Sequence, residues 1–135
     1  MTKQAIIFGA GNIGRGFMGQ LFSESGYRVA FIDVDRGPHD PIDARGCYTI
    51  RLVSNEQTES VEVGPVMALH SGDAEAVADM LAQAEIGATA VGAGILKHIA
   101  PLVARGIARR AEIDNRAPFN LILCENLHGA ADIFR

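Results

Sequence analysis

The first residues in this sequence whose types and spacing imply chemistry are Gly9-Ala10-Gly11-Asn12-Ile13-Gly14. A Gly-x-Gly-x-x-Gly run between an apolar strand and a helix suits a diphosphate. The first glycine permits the tight turn, the second lets phosphate approach the backbone, and the third lets helix and strand pack closely. The amides that open the helix then offer unpaired donors and partial positive charge. Arg15, in the first helical turn, can add a guanidinium to the same phosphates.

The glycine spacing alone is a weak signal, and its surroundings strengthen it. Asp33 lies 19 residues beyond Gly14, at the end of the next apolar run, where a carboxylate accepts hydrogen bonds from an adenosine ribose. Such a carboxylate repels a 2′-phosphate, so the expected cofactor is NAD rather than NADP. Arg36 is close enough to blur that preference. Two later turns are expected to face the same ligand. Ala90, Val91 and Gly92 are small or apolar residues after the fourth strand, suited to a backbone passing close to a dinucleotide, although a plain strand-to-helix turn uses them too. Glu125 and Asn126 follow the fifth strand and suit contact with the nicotinamide ribose or the substrate, against a helix-capping role for Asn126.

The elements that must position these residues follow from periodicity. Residues 4–9 form an apolar strand; in 12–25, Ile13, Phe17, Leu21 and Phe22 recur at helical spacing; Gly26 caps that helix, and 28–33 is a second buried strand. Gly37, Pro38 and Pro41 then interrupt the place of a second crossover helix. Residues 48–53 and 60–63 alternate, predicting a hairpin before a third parallel strand at 66–69. Asp73 caps a helix over 74–84, 86–91 is a fourth strand, 95–110 is helical with a break or restart at Pro101, and 119–124 is a fifth strand before a short helical turn within 127–135. Strands alternating with helices predict one α/β domain over 1–135: a Rossmann-type, doubly wound, mostly parallel sheet carrying the hairpin. Gly16 and Gly19, unfavourable inside a helix, imply close approach of another backbone or ligand there.

Composition narrows the partners. Among 135 residues, 12 Lys and Arg against 16 Asp and Glu give a net charge of −4, which offers no support for a nucleic acid or an anionic membrane. No apolar run approaches the roughly 18 residues needed to cross a bilayer, and no secretory signal is present, so a cytoplasmic location is expected. Cys47 and Cys124 belong to no ligand cluster, and His39, His70, His98 and His128 share no metal-binding spacing, so free thiols, isolated histidines and no metal are expected.

With these residues in place, the sequence resembles the N-terminal domain of the mannitol-1-phosphate dehydrogenase branch of the long-chain polyol dehydrogenase family. The resemblance rests on Phe8-Gly-Ala-Gly-Asn-Ile-Gly-Arg-Gly-Phe17, Phe31-Ile-Asp-Val34, Thr89-Ala-Val-Gly92, Ile99-Ala-Pro101 and Cys124-Glu-Asn126. The first stretch is the most specific, and the set spans nearly the whole chain in order. The resemblance implies NAD-dependent, metal-independent interconversion of mannitol 1-phosphate and fructose 6-phosphate, with residues 9–15 and Asp33 on the cofactor and Glu125 and Asn126 near the reacting centre. It also implies that the lysine base, with its Asn and His partners, belongs to a helical C-terminal domain outside this chain. Lys3 and Lys97 match no catalytic motif, so the chain by itself is expected to bind NAD but to turn over little substrate, and to self-associate through uncovered apolar surface. Other readings are a stand-alone NAD-sensing or regulatory module and a sugar-acid reductase of the same superfamily, the latter disfavoured by the continuation through Phe17.

Overall fold

Two uncharged apolar runs make the centre of the fold. Ile6, Ile7 and Phe8 in β1 (Lys3–Phe8) and Val29, Ala30, Phe31 and Ile32 in β2 (Tyr27–Asp33) are fully shielded from solvent, as the middle strands of a parallel sheet covered on both faces must be. The computed structural model describes residues 3–9, 11, 13–33 and 45–135. Ala10, Asn12 and the expected interruption at 37–41, with Arg36 and His39, lie outside the described residues.

β1 and β2 join β5 (Val66–His70), β6 (Ile86–Thr89) and β7 (Asn120–Leu123) in a parallel sheet of order β5-β2-β1-β6-β7. The chain runs outward from β1 on one side, then returns and runs outward on the other. Strand order therefore reverses between β1 and β6, the place where such sheets open a crevice. The expected hairpin is present as a separate antiparallel pair, β3 (Tyr48–Val53) and β4 (Thr58–Val63), closed by Ser54 N–H donating to Gln57 O at 2.9 Å. Only its base is buried, where Tyr48 lies opposite Val63.

Helices cover both faces. A π-helical turn, Gly14–Met18, runs into α1 (Gly19–Glu24), and Met18 and Phe22 pack with Ala5, Ile7, Val29 and Phe31 on one face. On the other, α2 (Ala74–Gln83) and α3 (Leu96–Glu112) place Val77, Leu81, Ile99 and Val103 over Ile6, Phe8 and Ile32. Asp73 caps α2 as its position predicted, accepting from Ala76 N–H. Gly106 lets α3 approach α2, since a Cβ there would lie 2.7 Å from Leu81 Cβ.

Two helical details depart from expectation. The row Ile13, Phe17 and Leu21 is exposed, and Phe22 alone of the four recurring apolar residues is buried. The helix turns Gly14, Met18 and Phe22 toward the sheet instead, because Gly14 brings its backbone against Gly9 and thereby selects the inward row. Pro101 does not break α3. Its ring lies on the exposed face early in the helix, and buried Ile99 and Val103 on either side hold the helix continuous.

Arg110 carries the least obvious part of the packing. It is 6% exposed, and its guanidinium donates to the carbonyls of Leu81, Ala82 and Ala84 at 3.1, 3.3 and 2.7 Å and to Ala117 O at 2.5 Å, with Phe119's ring 5.6 Å away. A cation among the last carbonyls of α2 satisfies acceptors that the helix leaves open and complements its dipole. Outside the core, Arg105 and Arg109 pair with Glu75 and Asp79 across the exposed seam of the same two helices. Arg109's hydrogen bond, followed by Arg105's charge, holds the Glu75 carboxyl below its usual range. That contribution is present at neutral pH and fades on acidification through the lowered value; solvent screening keeps it small. Replacing Arg110 by Met, which keeps bulk but no donors, is expected to cost about 3 kcal/mol in urea unfolding, whereas Arg105→Met is expected to cost well under about 1 kcal/mol.

Candidate functional site

Strand register brings the predicted residues together. Phe8 lies opposite Ile32 and Thr89, Asp33 opposite His70, and Thr89 opposite Leu123, so the segments after all five strands leave the sheet at the same end. Backbone bonds continue past the strands: Gly9 N–H donates to Ile32 O at 2.7 Å, Ala90 N–H to Phe8 O at 2.8 Å, and Cys124 N–H to Thr89 O at 2.9 Å.

At the reversal the backbone comes close to itself. Gly9 has φ +108°, and a Cβ there would lie 2.8 Å from the Ala90 carbonyl carbon and 3.2 Å from Val91 Cγ1. A Cβ on Gly14 would run into the Gly9 carbonyl. Gly11 differs, because a Cβ on it would meet nothing within 4 Å among the described residues. Two glycines are thus needed for packing within the protein, and the middle one leaves open space at the turn, the distribution that a diphosphate approaching the backbone requires.

Beside the turn lies a cleft of about 210 Å³ lined by Gly9, Gly11, Ile32, Asp33, Ser71, Ala90, Val91, Ile95 and Ile99. Its walls are aliphatic, and among the described residues Asp33 is the one ionisable residue lining it. Ser71 N–H donates to Asp33 O at 3.0 Å, tying the segment after β5 to the end of β2. A larger groove of about 530 Å³, lined among others by Ile107, Arg110, Asn115 and Phe119, lies at the opposite ends of the strands. Its polar groups already serve the fold: Arg110 holds four carbonyls, and Asn115 Nδ2 donates to Ala82 O at 2.7 Å. The smaller cleft is the candidate site because the glycine turn and Asp33 form it.

Glu125 is half-buried and faces the neighbouring turn. Its Oε2 accepts from Val91 N–H at 3.2 Å and its Oε1 from Gly92 N–H at 3.0 Å, so both oxygens brace the segment after β6. Gly92 supports this geometry with φ +93°. Asn126 is exposed just beyond. Burial, followed by Glu125's charge, pushes the Cys124 thiol above its usual value, and the Cys47 thiol is raised first by its hydrogen bond to Glu62; both cysteines are free. Arg15 is half-buried, and its Nε has no hydrogen-bond partner among the described residues. His70 Nδ1 accepts from Gly72 N–H at 2.9 Å, a turn-forming role. Among the described residues no three His, Cys, Asp or Glu side chains gather as metal ligands, and no helix is long and apolar enough to cross a membrane.

Comparison with known proteins gives this arrangement a family. Residues 3–135 match the mannitol dehydrogenase Rossmann domain. The chain belongs to the mannitol dehydrogenase family. It is 44% identical over 128 residues to a mannitol-1-phosphate 5-dehydrogenase of Brevibacillus brevis, covering 95% of this chain and 33% of that protein. Proteins of the same name from Lactiplantibacillus plantarum and Lactococcus lactis subsp. cremoris are 42% and 38% identical over 92% and 96% of this chain, and 32% and 34% of their own lengths. The chain thus spans about a third of the length of the curated relatives it matches. The expected resemblance and the expected Rossmann architecture both hold: this is the Rossmann domain of a family of oxidoreductases.

Sequence reasoning did not find Ser71, Ile95 and Ile99 as cleft residues, nor what Glu125 holds. Ile95 and Ile99 carried a signal, the helical spacing of α3, but only the strand order shows that the first turn of that helix overhangs Gly9. Two outcomes are expected. Gly9→Ala, which forces a methyl toward the Ala90 carbonyl at a positive φ, should cost about 3 kcal/mol or prevent folding, read by thermal unfolding. Glu125→Gln, which turns an N–H₂ toward one of the two amides, should speed amide exchange at Val91 and Gly92 about tenfold while Ile6 and Phe31 in the core stay protected.

Proposed function

We propose that this chain is the NAD-binding domain of a mannitol-1-phosphate 5-dehydrogenase-like oxidoreductase. The observation that carries the reading is the convergence of Gly9, Gly11 and Asp33 on one cleft with aliphatic walls, at the point where strand order reverses. An adenosine fits those walls: Ile32, Ile95 and Ile99 offer a base an apolar surface, and Asp33 accepts from the ribose hydroxyls. The diphosphate meets the open side of Gly11 and the first amides of the following helix, with Arg15 alongside. Ala90, Val91 and Gly92 flank the dinucleotide where it crosses the reversal, and Glu125 keeps them in place. Asn126, exposed beyond Glu125, faces the nicotinamide ribose or the substrate.

The bound nicotinamide supplies a hydride acceptor, and the protein's task is to orient it and to exclude water. Oxidising a polyol hydroxyl also needs a base within hydrogen-bond reach of the departing proton. Lys3 begins β1 at the end of the sheet remote from the cleft, and Lys97 is exposed on α3 and does not line the cleft. We assign the base, and recognition of the polyol phosphate, to the part of the relatives' length that this chain does not cover. The location proposed for the protein is cytoplasmic.

The test is a titration of the chain with NAD and NADP by calorimetry, in parallel with Asp33→Ala. NAD is expected to bind at least about tenfold more tightly than NADP, and the variant to lose about tenfold in NAD affinity with little change for NADP. NADP binding as tight as NAD would overturn the cofactor assignment, and substantial turnover of mannitol 1-phosphate by this chain alone would overturn the placement of the base.

A further inference from the structure

The helix that follows the glycine turn opens with an α-type bond, Arg15 N–H donating to Gly11 O at 2.9 Å, and then widens into a π turn over Gly14–Met18. Gly19 N–H donates to Gly14 O, five residues back, where an α-helix would direct it to Arg15 O. The Arg15 carbonyl is engaged from outside the helix: Tyr48 Oη donates to it at 2.6 Å. Tyr48 comes from β3 in the hairpin, not from the parallel sheet. Its ring is buried and edge-on to Phe31 at 5.8 Å. Gly19 makes room for it, because a Cβ on Gly19 would occupy the space of the tyrosine hydroxyl and lie 2.9 Å from Phe31 Cζ. The glycine that seemed out of place in a helix is therefore the receiving surface for Tyr48.

One carbonyl, two possible donors and one register follow from this arrangement. A π turn holds one residue more than an α turn, so closing it to α geometry would rotate everything on one side by about 100° relative to the other. The inward row would then fail: either Gly14 would leave Gly9, or Met18 and Phe22 would leave the core. Arg15 sits within the widened turn, so the direction of its side chain depends on the same bond.

We propose that Tyr48 is a positioning residue for the anion-binding turn: its hydroxyl draws the Arg15 carbonyl out of the α ladder and so sets the π register of 14–18 that aims Arg15 and the first amides at the diphosphate. The hairpin thereby acts as an arm reaching beneath the cofactor helix. Burial pushes the Tyr48 phenol well above its usual value, so the hydroxyl stays a donor throughout the working pH range. The proposal rests on the NAD reading for its consequence, though not for the register itself.

Tyr48→Phe removes one oxygen and keeps the ring against Phe31. Two measurements on the whole chain decide the matter. The first is coupling across the hydrogen bond from labelled Gly19 nitrogen, expected to the Gly14 carbonyl in the wild type and to the Arg15 carbonyl in the variant. The second is NADH titration, expected to be about tenfold weaker in the variant with the preference for NADH over NADPH unchanged, a ratio that general loosening of the fold would erode. A variant that binds NADH within about twofold of the wild type, or that keeps the Gly14 coupling, overturns the proposal. If the wild type binds no NADH, the cofactor reading fails and the coupling switch alone decides the register. If the variant does not fold, the wild-type coupling decides: Gly14 supports the proposal and Arg15 refutes it.

Discussion

The structure depends on two stretches of backbone meeting with no side chain between them. Gly9 sits against the Ala90 carbonyl, and Gly14 sits against the Gly9 carbonyl. After β1 and β6 the chain diverges, since the helix after Gly9 packs on one face of the sheet and α3 on the other. The crevice between them is only as narrow as the backbones allow. A methyl group at either glycine would wedge it open, and the cleft would lose its aliphatic walls.

Which parts of this were legible in the sequence follows from the range of each interaction. The glycine turn, Asp33 at the end of β2, the Asp73 cap and the alternating hairpin are local signals, each written within a few residues, and each element formed where expected. The polar contacts that fix the site are not local. Tyr48 meets Arg15 across 33 positions and Glu125 meets Val91 across 34, and nothing in either neighbourhood names the partner. Glu125 was recognisable as a polar group closing a buried strand. Whether it faced a ligand or the next turn depended on the β6–β7 register, which pairs Thr89 with Leu123.

The helix after the glycine turn shows a different kind of limit. Its period was legible, but the row facing inward was not, because hydrophobicity favoured Ile13, Phe17 and Leu21 while the backbone contact at Gly14 selected Met18 and Phe22. Glycine contributes no hydrophobic signal, yet here it decided the rotation of a helix. Pro101 makes the complementary point. A residue that opposes helix formation was overruled by buried neighbours on both sides, at a position where its ring could face solvent.

The turns after β1 and β6 leave adjacent strands at the same end of the sheet, and each leads into a helical turn whose amides could attract an anion. They are treated differently. At the second, Val91 and Gly92 already give their N–H groups to Glu125, so that turn carries its own negative charge and gains nothing from a phosphate. At the first, Gly11 faces open space, and Arg15 has a buried Nε with no partner among the described residues. For the proposed NAD reading, this contrast favours one direction for the dinucleotide: diphosphate toward Gly11, adenosine toward Asp33, and its reactive end past Ala90 toward Asn126. In that reading Glu125 contributes to orientation through the turn it braces, because its charge occupies the amides of Val91 and Gly92 that a phosphate would otherwise meet.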